Sequence, residues 1–423
     1  MLTNSQPDAF AATLLPERSV KQLPGGLDKT PVFNSNSPEV VGRDGILLST
    51  FSPRGNRVCH LNYPISGNFE VFAHHISNAL ISGHKDDLYI GILVGNASDK
   101  KVILKISRAA SYLSQPDAPF IKLPQLLESN GEELIYAGPG DRVCTEFLAD
   151  KIAGGSEETI ELPPGKTVVI KKLPIPLNGL TPPINGRCLL MRLNASGPVY
   201  LASIARFGKT GQAPEDREFV DLLENGSLVE PRDIAPSDFD KPGPIRYGRV
   251  AGVSLGASWQ GTLSVPPVGS TFFYPISALQ GGTFGTGRID SAPMAVRYPD
   301  TAYLGNGNYA VQYLLDLPLA NTGKRPLAVE IGLGCPLKSD SQSPDLKYLD
   351  PPGSAVFFRG TIRIKDGQSV ALKHLVLHNG EPGPPLSRII VPPGKPRRIE
   401  ISLIYPPDAT PPQVLFVRSC AVK

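Results

Sequence analysis

Apolar and polar side chains alternate along several stretches of this chain. Over 101–107, Val102, Leu104 and Ile106 fall on one face and Lys101, Lys105 and Ser107 on the other, with Ile103 the exception. Ile399, Ile401 and Leu403 alternate with Arg398, Glu400 and Ser402, and Ile362 and Ile364 with Thr361, Arg363 and Lys365. A period of two places one apolar and one polar face on each strand, as in antiparallel sheets packed face to face. Stretches 167–172, 187–193 and 199–205 also predict strands, as does 370–377. A tight turn at 96–99 predicts a hairpin between 89–95 and 101–108. Two helices are expected. One spans 214–225, with Pro214 at its start, Glu215 and Asp216 in its first turn and Gly226 at its end. The other spans 141–153, capped by Asp141 and ended by Gly154.

Short motifs recur in the same order along the chain. Pro163-Pro164-Gly165-Lys166 returns 229 positions later as Pro392-Pro393-Gly394-Lys395, and Thr181-Pro182-Pro183 returns at the same offset as Thr410-Pro411-Pro412. Tyr63-Pro64-Ile65-Ser66 reappears at Tyr274-Pro275-Ile276-Ser277, offset 211, and the Asn96 turn resembles the Asn321 turn, offset 225. Growing offsets fit a duplication with insertions in the second copy. The expected fold is all-β: two tandem antiparallel β-sandwich domains at 43–212 and 246–423, an extended arm at 1–42, and a linker with a short helix at 213–245. In Pro-Pro-Gly-Lys, proline cannot serve a central strand and glycine supplies the positive φ of a turn. The motif therefore reads as punctuation, not as a phosphate loop.

Composition agrees with many short strands joined by turns. The 42 glycines and 44 prolines make about a fifth of the 423 residues, against a usual share of about 12%. The 42 basic and 39 acidic side chains nearly balance, and the densest basic run, Lys395-Pro396-Arg397-Arg398, opens an amphipathic strand. Nucleic acid is not an expected partner. No apolar run reaches the ~18 residues of a membrane span, and 1–20 lacks the basic and apolar regions of a signal peptide. Of the five cysteines (Cys59, Cys144, Cys188, Cys335 and Cys420), none forms a CxxC pair and none follows the duplication. They read as scattered thiols.

Candidate chemistry is sparse. His374 and His378 share a face at their spacing and are the candidate metal ligands, although a third ligand is not identifiable. Gly208-Lys209-Thr210 mimics the end of a P-loop, but Ser203 stands where the leading glycine belongs. Glu132, Glu133, Asp141 and Glu146 are close enough in sequence to suggest paired carboxylates. Trp259, with Tyr298, Tyr303, Tyr309 and Tyr313, offers aromatic platforms of the kind sugars stack on. No catalytic residue and no cofactor is assigned.

Several strings resemble a family of functionally uncharacterised cyanobacterial proteins, usually described as secreted or periplasmic. They include Leu23-Pro24-Gly25-Gly26-Leu27-Asp28, Pro31-Val32-Phe33-Asn34-Ser35-Asn36-Ser37-Pro38-Glu39-Val40, Ala137-Gly138-Pro139-Gly140-Asp141-Arg142-Val143 and Tyr247-Gly248-Arg249-Val250-Ala251-Gly252-Val253, with further matches at 109–120 and 179–187. The resemblance implies a cell-envelope or periplasmic setting. The expected function is non-catalytic, through binding or structural association with an envelope protein or polysaccharide. The alternative is a glycan-binding module or glycan-active enzyme.

Overall fold

The computed structural model describes residues 18–129, 132–150, 157–209, 212–238, 243–341, 343 and 346–422. It is mostly β, with three helices among these residues: α1 (Ala79–Ser82), α2 (Pro139–Leu148) and α3 (Asp216–Asn225). From Arg18 onward the expected arm adds four short strands to the sheets, Arg18–Val20, Gly26–Leu27, Pro31–Ser35 and Val40–Val41, while 1–17 lie outside the described residues.

Two sets of six strands, at the positions of the two expected copies, pair alike. The first copy contains β1 (Ile65–Asn78), β2 (Leu88–Asn96), β3 (Val102–Leu113), β4 (Glu158–Leu162), β5 (Thr167–Ile175) and β6 (Ile184–Phe207). The second contains β7 (Thr271–Ile276), β8 (Gln312–Leu319), β9 (Leu327–Gly334), β10 (Pro385–Val391), β11 (Arg397–Ile404) and β12 (Gln413–Ala421). In both copies the second strand pairs with the fifth, the third with the fourth and sixth, and the first with the sixth, all antiparallel. Two pairings keep the register that the offsets require. Val94 opposite Val168 becomes Leu319 opposite Arg397, and Val102 opposite Leu162 becomes Leu327 opposite Val391.

An asparagine fixes each copy at the same corner. Asn96 Nδ2 donates to the Lys100 carbonyl at 2.6 Å and to the Leu162 carbonyl at 2.8 Å, and its Oδ1 accepts from Ser98 N at 2.8 Å. Asn321 repeats this with the Arg325 carbonyl at 2.9 Å, the Val391 carbonyl at 2.7 Å and Gly323 N at 2.9 Å. Each amide thus ties its own turn to the carbonyl just before Pro-Pro-Gly-Lys. Gly165 and Gly394 take φ of 69° and 65° there, the left-handed region that favours glycine.

The expected 89–95/101–108 hairpin does not form. β2 pairs with β5 and β6, whereas β3 pairs with β4 and β6. The Asn96 turn therefore passes the chain between different partners instead of folding it back. Stretches 187–193 and 199–205 belong to one long strand, β6, whose early half pairs with β1 and β3 and later half with β2. The helix expected at 141–153 begins earlier, with Gly138 as N-cap and Asp141 in its first turn, and ends at Leu148; 151–153 lie outside the described residues. α3 carries a capping box between Glu215 and Glu218. Its Phe219 and Leu223 pack with Phe51, Leu93 and Ile204 of the first copy.

β1–β6 belong to a twelve-stranded sheet around one core, which includes Phe69, Val71, Ile92, Leu104 and Met191. β7, β9, β10 and β12 lie in a five-stranded sheet, and β8 and β11 in a seven-stranded one. A second core joins residues of these two sheets, including Ile331, Val417, Leu315 and Ile401. Sheet membership crosses the sequence boundaries. Leu126–Ser129 adds an edge strand beside Ser369–His378 in the seven-stranded sheet, and Ala251–Leu255 joins the twelve-stranded sheet through Pro31–Ser35. α2 wedges between the copies, where Val143, Cys144 and Phe147 meet Phe72 and Leu190 on one side and Ala310 and Ile404 on the other.

Candidate functional site

A cavity of about 500 Å³ opens where the outer face of the large sheet meets loops of the second copy. Alternation along Pro31–Ser35 builds its floor: Phe33 goes into the first core, while Val32 and Asn34 turn outward. β1 does the same, with Phe69 and Val71 inside and Glu70 on the cavity face. Asn36 and Glu39 continue the wall, Asp233 enters from the 213–245 segment, and Arg249, Asn306, Asn308, Tyr309 and Lys338 come from further along the chain.

The polar groups of the wall are largely engaged with one another. Arg249 pairs with Glu39. Asp233 accepts from the Ser37 hydroxyl at 2.8 Å and from Glu39 N at 3.2 Å. Glu70 accepts from Arg192 Nε at 2.8 Å, its opposite neighbour across β1 and β6, and Arg192 reaches on to Gln312 Oε1 at 2.8 Å. Asn308 donates to the Asp290 carbonyl and the Tyr313 hydroxyl, both at 2.9 Å, and accepts from Ala292 N. Asn34 and Asn36 differ: both are more than nine-tenths buried, yet neither side-chain oxygen has a hydrogen-bond partner. Buried acceptors are seldom left so.

Burial sets the protonation states. It pushes the Glu70 carboxyl up to about 7, with Arg192 pulling the other way. Burial raises Glu39 too, against the downward pull of Arg249. Lys338 is pushed down by burial. Both charge signs therefore reach the wall, with three carboxyl groups facing two cations.

A smaller cavity, about 380 Å³, is lined mostly by apolar groups, among them Ile76, Pro119, Phe120 and Ile184, together with His74. Burial takes His74 down to about 3, so its ring is neutral near pH 7.

The residues singled out in the sequence scatter. Trp259 is only 2% exposed; its indole nitrogen donates to the Pro24 carbonyl at 2.9 Å, its ring stacks on Tyr313, and Arg288 lies over it at 4.7 Å. Tyr298 is buried, with its hydroxyl donating to the Cys59 carbonyl at 2.7 Å and accepting from Ser49 N at 3.0 Å. Tyr303 is half-buried under Arg297 and donates to Asp238 at 3.2 Å. Of the named aromatics, Tyr309 lines the cavity; its hydroxyl donates to the Ala409 carbonyl at 3.0 Å and its ring stacks on Tyr405.

The two histidines do not meet at one centre. His374 Nε2 lies 2.7 Å from Asp141 Oδ2 in the interior, while His378 Nδ1 lies 3.0 Å from Glu381 Oε2 at the surface. Among the described residues, no group of three His, Cys, Asp or Glu side chains is placed to hold a metal ion. Asp141 locks the copies together, since its backbone nitrogen donates to Asp408 Oδ2 at 3.1 Å and its Oδ1 accepts from Thr145, which bonds Thr361 at 2.8 Å. Glu146 is held by Tyr112 and Arg142, and Glu132 and Glu133 lie on an exposed loop. All five cysteines are free thiols, and Thr210 of the P-loop mimic lies outside the described residues.

Asn34, Asn36, Glu39, Glu70 and Arg249 carry no motif of their own. Two of the family-like strings, 31–40 and 247–253, both end in this cavity, and that convergence is the one trace of the site in the sequence.

No curated protein matches the chain. Among solved structures, the structure of the Macrobrachium rosenbergii nodavirus aligns over 100% of this chain and 95% of that chain at 10% identity, with a TM-score of 0.14; a likeness that weak carries no argument. The family described as "Protein of unknown function (DUF3370)" matches residues 18–419.

Proposed function

The chain belongs to the DUF3370 family, and from that premise we propose that it is a non-catalytic binding protein of the cell envelope or periplasm. Its architecture on this reading is two tandem antiparallel β-sandwich domains, with α3 on the linker between them. The repeated pairings and the repeated asparagine corner support the tandem arrangement. The envelope setting comes from the family resemblance of the sequence strings. No helix among the described residues is long and apolar enough to cross a membrane.

The observation that carries the binding role is the cavity at the junction of the copies. Its volume falls within the range of small-ligand sites, ~300–1,000 Å³, and two of its buried amides keep oxygens without partners. Partners of the expected kinds are an envelope polysaccharide or an envelope protein. The near balance of charge argues against nucleic acid. The glycan reading is favoured by one specific feature, an aromatic ring (Tyr309) beside asparagine amides in the same wall.

The test is binding of the purified full chain to envelope polysaccharides and peptidoglycan fragments on an array, alongside crosslinking in an envelope extract. Saturable binding to one glycan class or one envelope protein supports the reading. Absence of both refutes it.

A further inference from the structure

We infer that the central cavity binds a neutral saccharide unit, held by the amides of Asn34 and Asn36 beside the ring of Tyr309. The inference rests on the envelope-binding reading and narrows it to a site and a ligand class.

Three properties of the wall select that class. First, Asn34 and Asn36 line the cavity with buried amides whose oxygens have no protein partner, so an occupant that brings hydrogen-bonding groups has more to gain there than an apolar one. Second, the wall carries both signs, and its Glu39–Arg249 and Glu70–Arg192 pairs are already formed, so a charged ligand finds no field of one sign. A phosphate or uronic acid that reaches Arg249 and Lys338 also meets the carboxyl groups of Glu39, Glu70 and Asp233, and an amine that reaches those carboxyl groups also meets the two cations. Third, a hydroxyl group both donates and accepts, as does an asparagine amide, so a polyhydroxylated neutral ring matches these side chains whichever way each amide is turned. The site is also pre-organised. Asp233 and Asn308 are fixed by protein hydrogen bonds, the Glu39–Arg249 pair is formed, and the Tyr309 ring is held by its stack on Tyr405 and its bond to Ala409. Little ordering remains to be done on binding.

The experiment is isothermal titration of the full chain with glucose, galactose, mannose, maltose and cellobiose, and with glucuronic acid and glucosamine as charged controls. At least one neutral sugar is expected to bind saturably, with the charged controls at least about tenfold weaker, or about 1.4 kcal/mol. Asn34→Leu and Asn36→Leu each remove an oxygen at nearly constant volume. Each is expected to weaken that sugar at least about tenfold while leaving the urea midpoint unchanged or higher, because an unpaired buried oxygen is gone. Tyr309→Phe keeps the ring and is expected to retain binding.

No heat with any neutral sugar up to about 10 mM, preference for a charged sugar, or unaltered binding by both leucine variants overturns the inference. So does a lowered midpoint in both variants, which would make the amides structural. If envelope fractions bind wild type and both leucine variants equally, the cavity assignment fails and the envelope reading stands. If neutral sugars bind as expected but no envelope fraction does, the envelope reading fails instead.

Discussion

The asparagine corners permit a paired test of the duplication. Asn96→Ala removes donors to the Lys100 and Leu162 carbonyls and the acceptor for Ser98 N. Three net hydrogen bonds are worth about 1 kcal/mol each, and an orphaned buried carbonyl costs about 1–3 kcal/mol more. Lys100 is exposed, so water replaces that partner, but Leu162 is fully buried. The expected loss is therefore about 3–5 kcal/mol. Asn321→Ala removes the same three bonds in the second copy, with Val391 as the buried partner, and its expected loss is the same. Aspartate at either position sets a carboxylate oxygen against two carbonyls and is expected to cost at least as much as alanine. Urea unfolding followed by far-UV circular dichroism reports on both copies, while the single tryptophan, Trp259, reports on the second core. The interlocking strands and α2 predict that both probes shift together in both variants. A loss below about 0.5 kcal/mol in either variant, or a difference between them above about 2 kcal/mol, would refute the claim that the two corners are equivalent.

Other outcomes follow from particular contacts. A Cβ at Gly91 would meet the Phe219 ring at 2.5 Å; Gly91→Ala is expected to cost about 1–3 kcal/mol in the urea midpoint, and Phe219→Leu in the same chain to recover part of it. His374→Leu removes the ring that bonds the buried Asp141 carboxyl group and is expected to destabilise by about 1–3 kcal/mol, whereas His378→Leu at the surface should change stability by less than about 1 kcal/mol. For Glu70, burial raises the folded pKa to about 7 from 4.5, so the folded state binds this proton more tightly than the unfolded state. Its contribution makes the protein more stable as pH falls from about 7 to 4.5, by ~3 kcal/mol. The stability curve of Glu70→Gln should be flatter than wild type over that window, and identical slopes would sink the assignment.

Local physics made much of the fold legible in the chain. Period-two alternation located β3, β11 and the strand Val356–Asp366, because a half-buried strand must place apolar groups on one side only. Pro214 and Gly226 bracketed α3, because each residue suits one helix end and harms the interior. The duplicated motifs were readable as turn chemistry, since Pro, Gly and Asn serve backbone conformations that few other residues adopt. Pairing was not local, and there the reading failed: β2 and β3 flank a good turn, yet each satisfies its backbone on distant strands, and nothing in 96–99 encodes that choice. Trp259 and Tyr298 illustrate the same limit, because an aromatic side chain reads alike as platform or core until its neighbours are known, and here Pro24, Ser49 and Cys59 supply the partners. The sequence by itself determined a strand-rich chain with recurring turn motifs and the helix α3. The tertiary structure alone decided which strands pair, how the copies interlock through Asp141 and His374, and that Asn34, Glu70, Arg249 and Asn308, far apart along the chain, line one cavity. Burial, charge pairing and unmet hydrogen bonds depend on neighbours in space, and only the folded chain specifies those.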